Sequence, residues 1–126
     1  METSVTTPLV CIIDDGIGMM VHIRDYLEFS GFAVETADNG KDGLDIIRER
    51  NPEVVMVDMR MPGMDGIEVL TAARGNGYAG HMIVATGLSD DAEKQKCFDA
   101  GANDFLIKPY NMAALVELLQ AHLEAG

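Results

Sequence analysis

The chain has 126 residues, of which 48% are hydrophobic, and its 9 basic and 21 acidic residues leave a formal charge of −12. This length predicts one folded domain and leaves no room for a second module. The negative charge opposes direct binding to nucleic acid or to anionic lipid, because phosphates would be repelled. No apolar run is long enough to span a membrane, and residues 1–8 lack the features of a signal peptide, so we expect a cytoplasmic protein.

The first half of the chain predicts three strands that alternate with two helices. The strands are the apolar runs Leu9–Ile13, Ala33–Thr36 and Val54–Val57, and the acids Asp14, Asp15 and Asp58 directly follow the first and the third. The helix after the first strand has apolar residues at helical spacing and ends near Gly31. The second helix begins at Asn39 and ends before Pro52.

The second half predicts three helices and two strands. Asp65 is placed to cap the third helix, and Met82–Ala85 is a strand that leads into Thr86. Ser89 begins the fourth helix, Phe105–Ile107 is a strand that leads into Lys108, and an amphipathic helix through Leu123 follows. The apolar stripe of the fourth helix is thin, so we expect it to be the least firmly packed; it comprises Ala92, Cys97, Phe98 and Ala100.

This alternation predicts a doubly wound α/β sandwich, with a parallel sheet covered by helices on both faces. Ligands of such sheets bind beyond the carboxyl ends of the strands, where the three carboxylates, Thr86 and Lys108 would meet. Carboxylates this close repel one another unless a cation lies between them. Oxygen ligands select a hard cation, so we predict a site for Mg²⁺, with Mn²⁺ as the alternative metal.

The same residue set suits phosphoryl transfer. Asp58 stands alone at the end of a central strand, where its carboxylate is placed to attack a phosphoryl group and form an acyl phosphate. Thr86 and Lys108 would then bind the phosphoryl oxygens. Cys11 and Cys97 are interpreted as reduced structural residues.

From Leu9 to Leu123 the chain resembles the receiver domains of two-component response regulators. The motifs that carry the resemblance are Ile13-Asp14-Asp15, Val57-Asp58 with Pro62-Gly63 and Asp65-Gly66 after it, Ala85-Thr86-Gly87, Ala100-Gly101-Ala102 and Lys108-Pro109. Each motif is weak by itself, but the order and spacing together are specific. The resemblance implies a flavodoxin-like (βα)5 fold with strand order 2-1-3-4-5, formed by residues 9–126 after a flexible tail at 1–8.

The resemblance also implies roles for individual residues. Asp58 is expected to be the phosphoacceptor. Asp15, Asp58 and the Arg60 carbonyl are expected to ligate Mg²⁺ directly, and Asp14 is expected to bind the metal through water. Thr86 and Lys108 match the phosphoryl-binding pair, Thr86 and Phe105 match the switch pair, and the Lys108-Pro109 bond is expected to be cis. The implied partners are a histidine kinase or a histidine phosphotransfer protein, and a downstream protein that binds the face of the fourth helix, fifth strand and fifth helix.

Three other functions compete with this interpretation. A metal-dependent phosphatase or phosphotransferase of the haloacid dehalogenase type also uses an Asp nucleophile, but it needs a second acid where this chain has Arg60. A flavin-binding module needs a donor-rich first loop, whereas Asp14 and Asp15 would repel a phosphate. A receiver-like scaffold that is never phosphorylated would not need the complete residue set.

Arg60 also leads to a hypothesis about the lifetime of the acyl phosphate. This cation lies two residues beyond Asp58, where it is placed to contact the phosphoryl group or to screen it from water. Leu88 offers no acid or amide that would orient a hydrolytic water. We therefore expect a fairly long-lived acyl phosphate.

Overall fold

A computed structural model of the chain describes residues 7–87 and 91–125. Within these ranges five strands alternate with five helices, as the sequence predicts. The strands are β1 (Leu9–Ile13), β2 (Ala33–Ala37), β3 (Val54–Asp58), β4 (His81–Thr86) and β5 (Asp104–Ile107). The helices are α1 (Ile17–Phe29), α2 (Gly40–Arg50), α3 (Gly66–Gly75), α4 (Asp91–Ala100) and α5 (Met112–Ala125).

All strand pairs are parallel, and the order across the sheet is β2-β1-β3-β4-β5. This confirms the predicted doubly wound α/β fold and its strand order. All five residues of β1 are buried, and so are the four residues of β3 before Asp58, because helices cover both faces of the central strands. The sheet therefore brings the carboxyl ends of β1, β3 and β4 side by side at one edge.

The two faces of the sheet carry separate hydrophobic clusters. Val10, Ile12 and Met56 face α1 and α5, where they pack with residues such as Leu27 and Leu119. The alternate residues of the same strands pack against α2, α3 and α4 on the other face. Both cysteines are buried and form no disulfide, as the sequence predicts.

Local signals mark several helix ends at the predicted residues. The Asn39 side chain accepts a hydrogen bond from the Asp42 amide, and Asp65 forms a reciprocal capping box with Glu68. Gly31 ends the turn after α1 with a φ of 102°, a left-handed conformation that glycine adopts without strain. No helix in the described ranges is both long and apolar enough to cross a bilayer.

The predicted apolar stripe of α4 is only partly correct. Cys97 is fully buried and Ala100 packs against the core, but Ala92 is exposed and Phe98 is 42% exposed. The predicted start of this helix at Ser89 falls outside the described residues. Cys97 is the only buried residue of α4, and each of the other helices buries at least two. This agrees with the expectation that α4 is the least firmly packed helix.

Candidate functional site

Three carboxylates meet at the carboxyl edge of the sheet. Asp14, Asp15 and Asp58 each offer an oxygen within 4.8 Å of the others, and we call these residues the acidic cluster. Asp14 is buried and held from two sides: its amide donates to the Ala37 carbonyl at 3.0 Å, and its carboxylate accepts from the Gly16 amide at 2.8 Å. Asp15 is exposed. One wall of the cluster is therefore rigid, and the other is open to solvent.

Lys108 supplies the cation beside the acidic cluster. Its Nζ lies 3.1 Å from Asp14 Oδ2 and 3.3 Å from Asp58 Oδ1, so that one ammonium joins the ends of β1 and β3. The Lys108 amide donates to the Thr86 carbonyl at 2.7 Å, which ties the residue to the end of β4. The Lys108-Pro109 bond is cis, as the resemblance implied.

Burial and neighbouring charge set the ionisation of this site. Burial raises the pKa of Asp58, the negative charge of Asp14 raises it further, and Lys108 opposes both effects. Burial lowers the pKa of Lys108, but the hydrogen bonds and charges of Asp14 and Asp58 outweigh it, so the net shift is upward. The lysine therefore stays charged while the carboxylates remain under mutual repulsion. Such a site favours an added divalent cation, and its oxygen donors match Mg²⁺.

Thr86 ends β4, the strand next to the one that ends in Asp58, and Phe105 lies on β5. Ala85 is the register partner of Asp58, and Thr86 follows it as a buried residue opposite Ile107. Phe105 is partly buried against the core on the α4 side of the sheet, and Lys94 Nζ lies 5.6 Å from its ring centroid. The two residues assigned to the switch therefore lie on neighbouring strands, with Phe105 next to Lys94 of α4.

Comparisons with known proteins agree with this geometry. Residues 10–120 match the family model described as "Response regulator receiver domain". The chain belongs to this family. The receiver domain is 34% identical over 123 residues to the transcriptional regulatory protein PrrA of Mycobacterium bovis, a match that covers 98% of this chain and 53% of PrrA. It is 33% identical to the response regulator MprA of Mycolicibacterium vanbaalenii, with 90% of this chain and 49% of MprA covered.

The chain spans about half the length of these curated relatives. Solved structures of receiver domains match it over almost its full length. A CheY-like receiver domain from Methanospirillum hungatei is 27% identical with a TM-score of 0.90, covering 95% of this chain and 96% of that one. The chemotaxis protein CheY4 of Vibrio cholerae is 28% identical with a TM-score of 0.88, covering 92% and 98%. The receiver fold is therefore shared from end to end of these single-domain structures.

The receiver domain also contains a contact that sequence reasoning missed. The Arg60 guanidinium lies 2.9 Å from the Glu93 carboxylate, and both side chains line a cavity of about 440 Å³ together with Met59, Pro62 and Asp65. The prediction placed Arg60 at the mouth of the site but had no partner for it. Glu93 lies 33 residues away in the first turn of α4, and a single acid on an exposed helix carries no local signal for such pairing.

Proposed function

We propose that this receiver domain accepts a phosphoryl group on Asp58 with the help of Mg²⁺ and changes conformation to regulate a partner. The observation that carries the proposal is the convergence of the acidic cluster with Lys108 Nζ, which lies 3.3 Å from Asp58 Oδ1. Mg²⁺, when bound, would offset carboxylate charge and polarise the phosphoryl oxygens. Mn²⁺ is the alternative metal.

Each residue of the site has one role in this proposal. Asp58 attacks phosphorus with a carboxylate oxygen and forms an acyl phosphate as the donor nitrogen leaves. Asp15, Asp58 and the Arg60 carbonyl would hold the metal directly and Asp14 would hold it through water, while Asp14 also orients Lys108 through a contact of 3.1 Å. Lys108 and the Thr86 hydroxyl bind the phosphoryl oxygens, because the negative charge on the acceptor residue rises from about one to about two.

The proposed conformational change starts from the same contacts. Thr86 would move toward the phosphoryl group, and the Phe105 ring would turn into the space that Thr86 leaves. Phe105 lies against α4 through Lys94, and α4 has only one buried side chain, so a small displacement meets little apolar resistance. The proposed output surface is the face of α4, β5 and α5.

The proposed function requires two partners, a phosphodonor and a protein that responds to the conformational change. The phosphodonor is a histidine kinase or a histidine phosphotransfer protein, which would approach over the exposed apolar start of α1 at Ile17 and Met19. The downstream partner is a protein, because a formal charge of −12 disfavours direct contact with nucleic acid. The name of PrrA, a transcriptional regulatory protein, favours a transcriptional output for the system in which the chain acts. A cytoplasmic location remains a prediction from the sequence.

The phosphatase alternative meets a specific objection. A haloacid dehalogenase-type enzyme needs a general acid two residues after its nucleophile, and that position holds Arg60, which pairs with Glu93. An unphosphorylated scaffold would have no use for three carboxylates whose burial and mutual repulsion raise the pKa of Asp58. The signalling function therefore accounts for more of the site than either alternative does.

The decisive experiment is incubation with acetyl phosphate and Mg²⁺, followed by measurement of intact mass. We expect one phosphoryl adduct on the wild-type protein, no adduct on Asp58→Asn, and no adduct on the wild type when a chelator is present from the start of the incubation. Asp65→Asn is the matched control, because it neutralises a nearby carboxylate while asparagine still caps α3. An adduct on Asp58→Asn equal to that on the wild type, or none on either, would refute the assignment.

A further inference from the structure

A second group of titratable side chains lies at the amino edge of the sheet, opposite the acidic cluster. His81 begins β4, Asp104 begins β5, and His122 lies in the last turns of α5. The Asp104 carboxylate lies 2.5 Å from His81 Nε2, and the rings of His81 and His122 stack with centroids 3.8 Å apart at an angle of 37°. We call these three residues the histidine cluster.

The hydrogen bond to Asp104 determines how the histidine cluster holds protons. A carboxylate only accepts, so the Nε2–H of His81 donates to Asp104 whether the ring is neutral or charged. The first proton added to the cluster is therefore balanced by Asp104. A second proton would place two cations on stacked rings with a single carboxylate beside them, and like charges at this separation repel.

The surroundings of His122 oppose the second proton. Burial lowers the pKa of His122, His81 lowers it further, and Asp104 acts in the opposite direction. Among the described residues, His81 on β4 and Asp104 on β5 are the charged groups that act on this ring from the strands beneath it. A histidine whose pKa is lowered in the folded state stabilises the fold above its unfolded value of about 6.5, and this stability is lost as the pH falls toward the folded value.

We propose that the histidine cluster is a proton-responsive latch that holds the end of α5 against β4 and β5. In neutral solution the two rings stack and α5 stays docked. On acidification His122 takes up the second proton, the rings separate, and the last turns of α5 loosen. Because α5 belongs to the proposed output face, acidity would act on that face independently of Asp58.

The test is a pH titration of the unphosphorylated, metal-free protein, so its outcome does not depend on the proposed phosphorylation. Proton resonances of the three histidine rings are followed by NMR from about pH 8 to about pH 5, which spans the histidine range. Amide hydrogen exchange in α5 is measured over the same range relative to β3 and corrected for intrinsic exchange. His122→Phe keeps a ring but never charges, and His22→Gln removes an exposed histidine from α1 as the matched control.

We expect the pKa of His122 to lie below the ordinary histidine value of about 6.5, and His81→Phe to raise it. Exchange in the last turns of α5 should increase roughly two- to fivefold on acidification, the size of effect of one partly exposed charge pair. His22→Gln should keep this increase and His122→Phe should lose it. The proposal is overturned if wild type and His122→Phe respond equally to pH. A His122 midpoint at or above the ordinary histidine value of about 6.5 overturns it without recourse to any variant.

Discussion

At the scale of single residues, the acidic cluster places three carboxylates close together in a partly buried position, which is unfavourable for their negative charges. Asp58 is mostly covered, lies beside Asp14, and is only partly offset by Lys108, so its pKa is raised by burial first and by its neighbour second. A raised pKa means that the folded state holds the charged carboxylate less well than the unfolded chain does. The acidic cluster therefore lowers the stability of the fold, which is consistent with its proposed role in binding a cation and a phosphoryl group.

Removing this charge should stabilise the metal-free protein. We expect Asp58→Asn to raise the free energy of unfolding at neutral pH by on the order of 1 kcal/mol, because one of three mutually repelling carboxylates disappears. The folded wild type takes up a proton at Asp58 before the unfolded chain does. The difference should therefore shrink as the pH falls through the folded pKa of Asp58.

Urea unfolding of both proteins at a series of pH values measures this effect. Asp65→Asn, which preserves the α3 cap, should stay close to the wild type throughout. A destabilised Asp58→Asn at neutral pH would show that the Lys108 contact outweighs the repulsion.

The Arg60 contact refines the hypothesis of a long-lived acyl phosphate. Glu93 holds the Arg60 guanidinium at 2.9 Å, which restrains it from turning toward the phosphoryl group. We expect Glu93→Gln to release Arg60 and to slow dephosphorylation, and Arg60→Ala to accelerate it. Each change should be about fivefold, the effect of one partly exposed contact of roughly 1 kcal/mol.

Decay of the intact-mass adduct after removal of acetyl phosphate gives these rates. Arg48→Ala removes an exposed arginine from α2 and should decay like the wild type. Identical decay of all four proteins would exclude a role for Arg60 in the lifetime of the signal.

At the scale of secondary structure elements, Arg74 joins the end of α3 to two loops at the amino edge of the sheet. Its guanidinium donates to the carbonyls of Tyr78 and Gly80 before β4, and to the carbonyl of Gly101 after α4. It also donates to the Asn103 side chain, whose oxygen in turn accepts from the Met82 amide. Gly101 has a φ of 120°, and a Cβ there would lie 2.5 Å from Arg74 Cγ. The Arg74 side chain thus supplies hydrogen-bond donors to loop carbonyls that lie outside the strands.

Loss of this side chain should be costly. We expect Arg74→Ala to lower the free energy of unfolding by about 3 kcal/mol, because several partly buried carbonyl oxygens lose a charged donor. Urea unfolding measures the loss, and faster amide exchange should concentrate in the loops before β4 and before β5. Arg48→Ala, which removes only an exposed ion pair, should cost less than about 1 kcal/mol. Equal losses of unfolding free energy in the two variants would mean that water replaces Arg74 as a donor to these carbonyls at no cost in stability.

At the scale of the whole molecule, the formal charge of −12 and the acidic cluster make stability dependent on cations. A ligand that binds only the folded state adds about 2.7 kcal/mol when its concentration is one hundred times its Kd. We expect Mg²⁺ to raise the thermal midpoint of the wild type at matched ionic strength, and a chelator to reverse the effect. Asp15→Asn should remove most of the increase because it loses a predicted direct ligand.

Two controls separate a specific site from general screening of charge. Sodium chloride at the same ionic strength should produce a much smaller shift, since it screens all acids alike. Asp65→Asn should respond to Mg²⁺ as the wild type does. If Asp15→Asn also responds fully, the ion does not bind at the acidic cluster.

Much of the fold was predictable because its signals are local. Uninterrupted apolar runs predicted β1, β3 and β4, since central parallel strands are buried on both faces, and Asn39 and Asp65 predicted helix starts by capping. The same pattern also predicted that Asp58 ends a central strand, where the structure has it. The α4 stripe was harder because Phe98 matches a helical period yet faces solvent: a short helix against a sheet edge buries only one narrow row.

The sequence by itself determined the strand order of the sheet by resemblance, the residues at its carboxyl edge and the caps of its helices. These features depend on the spacing of residues along the chain, on capping side chains and on the order of short sequence motifs. Only the tertiary structure decided which partners the long side chains take: Glu93 for Arg60, the loop carbonyls for Arg74, and His122 for the ring of His81. Their partners lie on other elements, so their contacts depend on how helices pack on the sheet, and no local pattern encodes that packing.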